Sequence, residues 1–419
     1  IFGTNIRYAV LIRGIPLKVR SDLPPPASGE QRDPLKDRDE ASVDSEIAVL
    51  GLDNPWRGPL NNPYFQAQEE ATQTKSIPPP MLLVSRLDGA PEDILKTRIN
   101  DSLRSEARGL WGWAYLDLRG IQTGPYAQGD QWLQNCSIAL RKNGIPILTD
   151  FQEPTFPDGF PVRDAALYLG WYAGQACGPF ADPQTTFSPG AIAIHIHSFS
   201  AATLRQPIGW VAPLVQLGAA VSAGNVYEPY LSLCLNLDLF VQRLLAGWPI
   251  ADAAWASTPV LSWMSIIIAD PLYRPFAAWH RPQPRRDAPA NEWERFRQTV
   301  TERNGNMEMA APTLVALSKL LFNPMLAEAV GVWRFENGQQ KQAAEILANS
   351  LQYAKQPWQR VQIAWYLIQA LEASQKKHEA IRLINDLLKQ PLAPNQVQLL
   401  QSELNRLNPT SSPTPKNSN

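Results

Sequence analysis

Cysteine, net charge and long apolar runs are all scarce in this sequence. Among 419 residues there are three cysteines, Cys136, Cys177 and Cys234, and none forms a CxxC pair. This excludes zinc-ribbon and thioredoxin-type motifs and offers no disulfide framework. The 38 basic and 39 acidic side chains leave a formal net charge of −1, which argues against a nucleic-acid partner and a polybasic membrane anchor. No apolar run reaches the roughly 18 residues of an integral membrane segment.

Proline and tryptophan, by contrast, are abundant, with 38 and 14 residues. Collagen is excluded because there are only 24 glycines and no Gly-X-Y period. An apolar content of 44% and a charged content of 18% exclude a disordered acidic chain. We therefore expect a globular protein of roughly two to three domains, with an aromatic core and many rigid loops.

The amino-terminal end lacks the features of a signal peptide. The chain begins with Ile1-Phe2-Gly3 instead of methionine and enters a predicted strand at residues 7–13. No charged region is followed there by an apolar segment. We expect a piece of a longer protein that begins upstream of Ile1, so the sequence leaves the compartment open, export included.

Strand patterns alternate with helix patterns from residue 81 onward. Several of the predicted strands are apolar on both faces, as expected when helices cover both sides of a sheet. Asp130 is the predicted N-cap of a helix that ends at Gly144, and Ser42 or Asp44 caps a short helix nearer the start. Strands are predicted over residues 81–87, 110–119, 145–149, 165–172, 191–197, 218–223 and 264–269, and helices over 91–108, 129–143, 210–217, 230–246 and 249–256. Residues 1–280 are thus predicted to form one α/β domain with a mostly parallel sheet.

The character of the chain changes after a proline-rich, charged linker at residues 281–290. Strand signals end, and similar apolar segments recur at residues 343–347 and 380–384, while Pro357 and Pro391 lie 34 residues apart. A period near 34 with paired helices resembles tetratricopeptide repeats. We predict a helical region over residues 291–408, opening with one helix at 291–322, and a disordered tail over 409–419.

Two of the four histidines stand together at the end of a predicted strand, in the segment AIAIHIHSFS of residues 191–200. On a strand His195 and His197 share one face, at the end where open α/β sheets place their ligands. They could bind one metal ion, or pair as a base and its orienting group. The structural alternative is that both are half-buried and hydrogen-bonded to neighbours. No third metal ligand is marked, so no metal is predicted.

Other polar and aromatic groups follow neighbouring strands. Asp117 and Arg119 could supply a carboxylate that orients a histidine and a guanidinium that holds an anion, or could form a buried ion pair. Trp171 and Tyr172 either line a pocket or fill the core. Glu228, in a turn that enters a helix, is a second candidate carboxylate.

The usual catalytic and cofactor motifs are absent from the sequence. There is no phosphate loop, dinucleotide glycine fingerprint, GxSxG elbow or HExxH motif, and no cofactor is predicted. Cys177 could be a nucleophile beside a histidine, but a lone cysteine is more often a packing residue.

The order of the strand-end motifs resembles that of the gingipain-type cysteine peptidases, which have the caspase-like fold. One strand ends in Gly170-Trp171-Tyr172, the next in His197-Ser198, and after a small-residue strand the last closes in Ala269-Asp270-Pro271-Leu272. The resemblance covers residues 81–276. It implies a caspase-like three-layer sandwich with a mostly parallel sheet.

The departures from that family fall on its chemistry. In the peptidases the first of these strands ends in Gly-His-Gly, which supplies the catalytic histidine, and the second ends at the catalytic cysteine. Here the histidine position is Trp171 and the cysteine position falls at about Ser198. Because tryptophan cannot act as a general base, a cysteine-peptidase mechanism is not expected.

The sequence also resembles a bacterial family without an established activity. The family occurs in cyanobacteria, planctomycetes and verrucomicrobia whose genomes carry the exosortase protein-sorting system. The resemblance spans residues 7–276 and rests on motifs at residues 13–18, 62–65, 86–89, 170–172, 195–201 and 270–275. Members carry more sheet-domain sequence before this point, as expected if the chain is a fragment.

Two functions from different classes follow from these patterns. The first is a non-catalytic caspase-like domain that binds a peptide or protein and carries a helical-repeat arm that recruits a partner. Its predicted binding residues are Trp171, Tyr172, Arg119 and Glu228.

The alternative function is a hydrolase with a rebuilt site. Ser198 would be the nucleophile or His197 the base, with His195 and either Asp117 or Glu228 as orienting groups. On an ideal strand Ser198 points away from both histidines, so this site requires the chain to turn there.

Overall fold

A computed structural model describes residues 6–24, 33, 35, 38–50, 52, 58–67, 81–281 and 291–409. These residues form two compact units. The first unit runs to Phe156 and resumes over Val162–Gly305, and the second contains Pro157–Pro161 and the chain from Asn306 onward. Residues 282–290 of the predicted linker and 410–419 of the predicted tail lie outside the described residues, as does part of the amino-terminal third.

The first unit is a mixed α/β structure, and each strand predicted in it has a counterpart. Its described strands are β1 (Tyr8–Ile12), β2 (Lys18–Val19), β3 (Ala41–Ser42), β4 (Leu60–Asn61), β5 (Leu83–Leu87), β6 (Trp113–Asp117), β7 (Ile147–Asp150), β8 (Ala165–Trp171), β9 (Phe187–Ile196), β10 (Ser222–Asn225), β11 (Val260–Leu261) and β12 (Ser265–Ile268). Its described helices are α1 (Val43–Ala48), α2 (Glu92–Arg108), α3 (Ala127–Lys142), α4 (Val211–Leu217), α5 (Leu237–Leu245), α6 (Ile250–Trp255) and α7 (Glu292–Thr301).

Two four-stranded sheets meet through a short parallel bridge. One has the order β7-β6-β8-β9 with all strands parallel, and the other has the order β1-β5-β12-β10. The bridge pairs Ile192 of β9 with Val221, which immediately precedes β10. The amide of Val221 donates to the carbonyl of Ala191 at 3.1 Å, and the amide of Ala193 donates to the carbonyl of Val221 at 2.9 Å. Strand β12 is antiparallel to β10 and parallel to β5. The prediction of a mostly parallel sheet is confirmed.

Parallel order brings the carboxyl ends of neighbouring strands to one edge. Strand β8 is buried at every position, and β9 is buried from Gly190 to Ile196, as expected for strands covered on both faces. The ends of β6, β8, β9 and β10 therefore lie side by side. This edge, called here the carboxyl edge, carries the residues predicted to be functional.

Two local predictions near this edge are wrong. Helix α3 begins at Ala127, so Asp130 lies inside its first turn and is not the N-cap. The helix predicted over residues 230–246 is reduced to α5, whose N-cap is Asn236, because Tyr230 has a φ of 60° and Cys234 has an extended backbone with a ψ of 168°. By contrast, Ser42 caps α1 as predicted, accepting the Ser45 amide at 3.0 Å.

From Asn306 onward the described part of the second unit is built of helices alone, as predicted for the carboxyl-terminal region. Its helices are α8 (Met307–Leu321), α9 (Pro324–Glu336), α10 (Gln340–Leu351), α11 (Pro357–Ala373), α12 (Lys377–Leu387) and α13 (Pro394–Leu407), and consecutive helices from α8 to α13 pack on one another. The single helix expected over residues 291–322 is two helices. Asn304 and Gly305 have φ values of 54° and 76°, which end α7, and Asn306 then caps α8. Across both units, no described helix combines the length and apolarity needed to span a bilayer.

Candidate functional site

Three adjacent strands bring Asp117 and His195 to the same level of the carboxyl edge. Asp117 ends β6 and lies opposite Gly170 of β8, which in turn lies opposite His195 of β9. Glycine is required between them, because a Cβ at Gly170 would fall 2.7 Å from His195 Nδ1 and 2.8 Å from the Tyr168 hydroxyl. The space left by the missing side chain is thus filled by that hydroxyl.

Tyr168 connects the carboxylate and the imidazole in a buried relay. Its hydroxyl donates to Asp117 Oδ2 at 3.0 Å and lies 2.7 Å from His195 Nδ1. The amide of Ala173 donates to His195 Nε2 at 2.9 Å. Because a backbone N–H can only donate, Nε2 carries no proton, and the neutral ring donates from Nδ1 to the Tyr168 oxygen. Both nitrogens of His195 are therefore engaged inside the protein.

Burial favours the uncharged form at both ends of this relay. His195 is fully buried, and its ring stacks on Trp210 with centroids 3.7 Å apart and planes inclined by 7°. Burial lowers the pKa of His195 well below its ordinary value, with a smaller contribution from His197. Burial also raises the pKa of Asp117 well above its ordinary value, and the carboxyl of Asp150 adds to this effect.

His197 lies apart from the relay. Strand β9 ends at Ile196, so the alternation that would place both histidines on one face stops one residue earlier. His197 is half-buried, and its Nδ1 lies 2.6 Å from the Ser198 carbonyl, to which it donates. Ser198 is also half-buried. The structure thus brings His195 to Asp117 through Tyr168, and leaves His197 beside Ser198 nearer the surface.

Trp171, the last residue of β8, is a buried anchor. Its indole N–H donates to Asp130 Oδ1 at 2.7 Å, and the same carboxylate accepts the amides of Arg119 and Ile121. The Gly129 backbone packs against the indole, and a Cβ at this position would fall 2.4 Å from the nearest ring atom. Trp171 therefore ties the end of β8 to the loop that follows β6.

Aromatic rings are exposed above Trp171. Tyr126 and Tyr172 are 49% and 41% exposed, and their ring centroids are 5.1 Å apart. The Arg119 guanidinium lies 4.8 Å from the Tyr172 ring and is also ion-paired with Glu153. The hydrogen bond to Tyr172 raises the pKa of Tyr126, and the nearby charge of Glu228 contributes as well. The predicted binding residues Tyr172, Arg119 and Glu228 thus share one surface, with Trp171 beneath it.

The three cysteines of the chain differ in burial. Burial raises the pKa of Cys136 well above its ordinary value and that of Cys234 to about 12, so both are protonated thiols. Cys177 is half-buried, and its Sγ lies 3.7 Å from the Thr155 hydroxyl. Among the described residues, no group of three or more histidine, cysteine, aspartate or glutamate side chains could hold a metal ion.

Sequence reasoning did not single out Tyr168 or Trp210, which hold the relay in place. Tyr168 could have been found from strand alternation, because it shares a face of β8 with Gly170, two residues on. Trp210 carried no such signal, since it reaches His195 from the residue before α4 and its indole N–H donates to the Ala173 carbonyl at 2.7 Å. No protein-family model matches the chain, and no curated protein matches it.

Proposed function

We propose that the first unit is a non-catalytic, caspase-like module that binds a peptide or protein at the carboxyl edge of its sheet. The observation that carries the proposal is Trp171. At the strand end where the resembling peptidases keep their general base, this chain has a buried indole hydrogen-bonded to Asp130 and covered by exposed tyrosines. An indole cannot accept a proton at neutral pH, whereas exposed rings are suited to contacting a ligand.

The sheet topology supports the caspase-like part of the proposal. From β7 to β12 the strands run in the order β7-β6-β8-β9-β10-β12, and only the last is antiparallel to its neighbour. Helices accompany this sheet, as the three-layer sandwich implied by the sequence resemblance requires. The same resemblance predicts the position of each motif at a strand end.

The hydrogen bonds of the relay argue against proton transfer to a substrate. A general base needs a free nitrogen within reach of the proton that it abstracts. His195 has none, because the amide of Ala173 occupies Nε2 and the Tyr168 hydroxyl occupies Nδ1. We infer that the relay holds the ends of β6, β8 and β9 together beneath the binding surface.

The motifs shared with the exosortase-associated bacterial family fit structural roles, and we propose kinship with that family. Arg86 is fully buried, and its Nε lies 2.7 Å and 2.9 Å from the two Asp44 oxygens. Asp88 is 1% exposed and is ion-paired with Arg205. One of these ion pairs is buried at both ends and the other at its Asp88 end, so the motif can be explained by packing and does not require a catalytic activity.

The second unit would act as the arm that recruits a partner. Helix α8 and the residue after it carry apolar side chains that are unusually exposed, namely Met309 at 62%, Leu320 at 72% and Phe322 at 66%. Exposed apolar side chains grouped on one helix are typical of protein-binding surfaces. The packing of consecutive helices also supports the tetratricopeptide-like interpretation.

The binding proposal is tested by selecting peptides from a random display library on the whole chain. Selected peptides should bind the wild type and lose affinity for the Tyr172→Ala variant. Ile138→Ala is the control, because Ile138 is an apolar side chain of α3 in the same unit that is 68% exposed and is not among the proposed binding residues. The proposal would be overturned if no peptide is enriched, or if the enriched peptides bind Tyr172→Ala as tightly as the wild type.

One observation favours the hydrolase alternative. His197 is partly exposed at the end of β9, and its Nδ1 is fixed by the Ser198 carbonyl, which would orient the ring for acid–base chemistry. A fluorophosphonate probe on the wild type, His197→Ala and Ser198→Ala chains decides between the two functions. Labelling that both substitutions abolish would establish the hydrolase and refute the non-catalytic assignment.

A further inference from the structure

Four aromatic side chains form a row along the carboxyl edge, called here the ring row: Tyr126, Tyr172, Phe199 and Tyr227. Tyr126 follows β6, Tyr172 follows β8, Phe199 follows β9 and Tyr227 follows β10. The Tyr126 and Tyr172 rings are 5.1 Å apart, and the Phe199 and Tyr227 rings are 6.5 Å apart. The His197 ring lies 5.9 Å from the Tyr172 ring, and His197 precedes Phe199 by two residues.

The backbone holds two rings of the row outward in an unfavourable conformation. Tyr172 and Phe199 have φ values of 78° and 58°, in the left-handed region that large L-residues avoid, yet they remain 41% and 46% exposed. Neighbouring strands impose this conformation, because the Tyr172 amide donates to the Ile196 carbonyl at 2.8 Å and the Phe199 amide to the Tyr227 carbonyl at 3.0 Å. Strain that keeps aromatic rings in water is characteristic of a binding site.

The spacing of the row matches a polyproline II helix. Neighbouring strands are about 4.8 Å apart, so the ends of β8 and β10, which are separated by β9, lie about 10 Å apart. A polyproline II helix has three residues per turn and rises about 3.1 Å per residue, which gives a repeat of about 9.3 Å. Successive turns of such a peptide would therefore meet successive pairs of rings.

The polar groups of the row also suit this ligand. A polyproline II helix has no internal hydrogen bonds, so its carbonyl groups seek donors. The Tyr227 hydroxyl donates to the Val19 carbonyl at 3.2 Å, whereas the exposed Tyr126 and Tyr172 side chains each carry an O–H group that can donate to a ligand carbonyl. Charges beside the row are of both signs: Arg119 is paired with Glu153, and Lys18 lies 4.7 Å from the Tyr227 ring, whereas Glu228 is acidic. An uncharged peptide is favoured over a strongly acidic or basic one.

We propose that the ring row binds a proline-rich peptide in the polyproline II conformation. This inference rests on the proposed binding function and names its ligand class. Aromatic-lined grooves recognise such peptides because a preformed helix loses little conformational entropy on binding.

Fluorescein-labelled decaproline, titrated into the whole chain and followed by fluorescence anisotropy, tests the proposal. A flexible Gly-Ser peptide of equal length is the ligand control. We expect saturable binding of decaproline, no binding of the Gly-Ser peptide, and affinity at least about tenfold weaker in Tyr172→Ala and in Phe199→Ala. The Ile138→Ala control should bind as tightly as the wild type. Tyr172→Phe keeps the ring and should lose less affinity than Tyr172→Ala.

Circular dichroism of each variant shows whether it folds, and Tyr126→Ala replaces any ring-row variant that does not. Decaproline binding no tighter than that of the Gly-Ser peptide, or unchanged in all ring-row variants, would overturn the inference. If the display library yields peptides that depend on Tyr172 but contain no proline, the ligand class is wrong and the binding function stands. If the library yields none and decaproline does not bind, both proposals fall.

Discussion

The buried carboxyl of Asp150 should make the stability of the first unit depend on pH. Asp150 ends β7, is 4% exposed and lies opposite Asp117 on β6. Burial raises its pKa from 3.8 to about 7, although the amides of Gln152 and Phe151 partly compensate the charge. The folded-state pKa therefore exceeds the unfolded value of about 3.9.

The sign of the effect follows from proton binding. Between pH 4 and pH 7 the folded unit retains a proton that the unfolded chain releases, so the free energy of unfolding falls as the pH rises. The stabilising contribution is complete below about pH 4 and is lost by about pH 7. At about 1.36 kcal/mol per pH unit, this interval corresponds to roughly 4 kcal/mol.

Asp150→Asn should remove this dependence, because the amide side chain does not ionise. Its oxygen can still accept the hydrogen bond that the Gln152 amide donates to Asp150 Oδ2 at 2.8 Å in the wild type. Relative to wild type at the same pH, the variant should gain about 2 kcal/mol between pH 5 and pH 7 and little more by pH 8. Hydrogen exchange of peptides from β6 and β8 measures this difference, since the intrinsic exchange rate cancels at equal pH.

Asp93→Asn is the control, because Asp93 is exposed in the same unit and its substitution should not produce a pH-dependent difference. A difference between Asp150→Asn and wild type that stays constant from pH 5 to pH 8 would refute the reasoning. It would mean that the Asp150 carboxyl is solvated in the folded chain.

Three other substitutions test the packing of each unit by urea unfolding. Glu328 of α9 is 1% exposed, and burial raises its pKa well above the ordinary value. The free energy of unfolding of Glu328→Gln should therefore exceed that of the wild type, by a difference that grows from pH 5 to pH 8. Gly129→Ala should lower the free energy of unfolding by about 1–3 kcal/mol, because its Cβ would overlap the Trp171 indole. Tyr168→Phe should lower it by about 1–3 kcal/mol, because the two buried groups that its hydroxyl joins lose their partner.

Each of these substitutions has a matched control on the same chain. Glu345→Gln changes an exposed glutamate on the neighbouring helix α10, and its effect should not vary with pH. Gly174→Ala places a Cβ 3.8 Å from its nearest neighbour, an ordinary contact, and Tyr126→Phe removes an exposed hydroxyl, so each should stay within about 0.5 kcal/mol of wild type. Equal losses in a variant and its control would contradict the corresponding prediction.

Local periodicity determined the positions of most elements. The apolar run at residues 165–172 predicts a strand that the structure has at Ala165–Trp171, and the pattern at residues 91–108 predicts the helix Glu92–Arg108. The change to an all-helical region was equally visible in the spacing of apolar residues. These features depend on which face of an element is buried, and that information is carried by neighbouring residues.

Tertiary structure alone decided how the side chains of the site are used. From the sequence, Asp130 has the residue type and position of an N-cap, but its carboxylate accepts a hydrogen bond from the indole of Trp171, 41 residues away. His195 and His197 share a face on an ideal strand, but β9 ends between them, so one imidazole lies in the core and the other at the surface. Hydrogen-bond partners and burial depend on contacts between distant parts of the chain, which no local pattern encodes. The sequence by itself therefore determined the sheet edge at which these residues gather, and packing decided which of them water can reach.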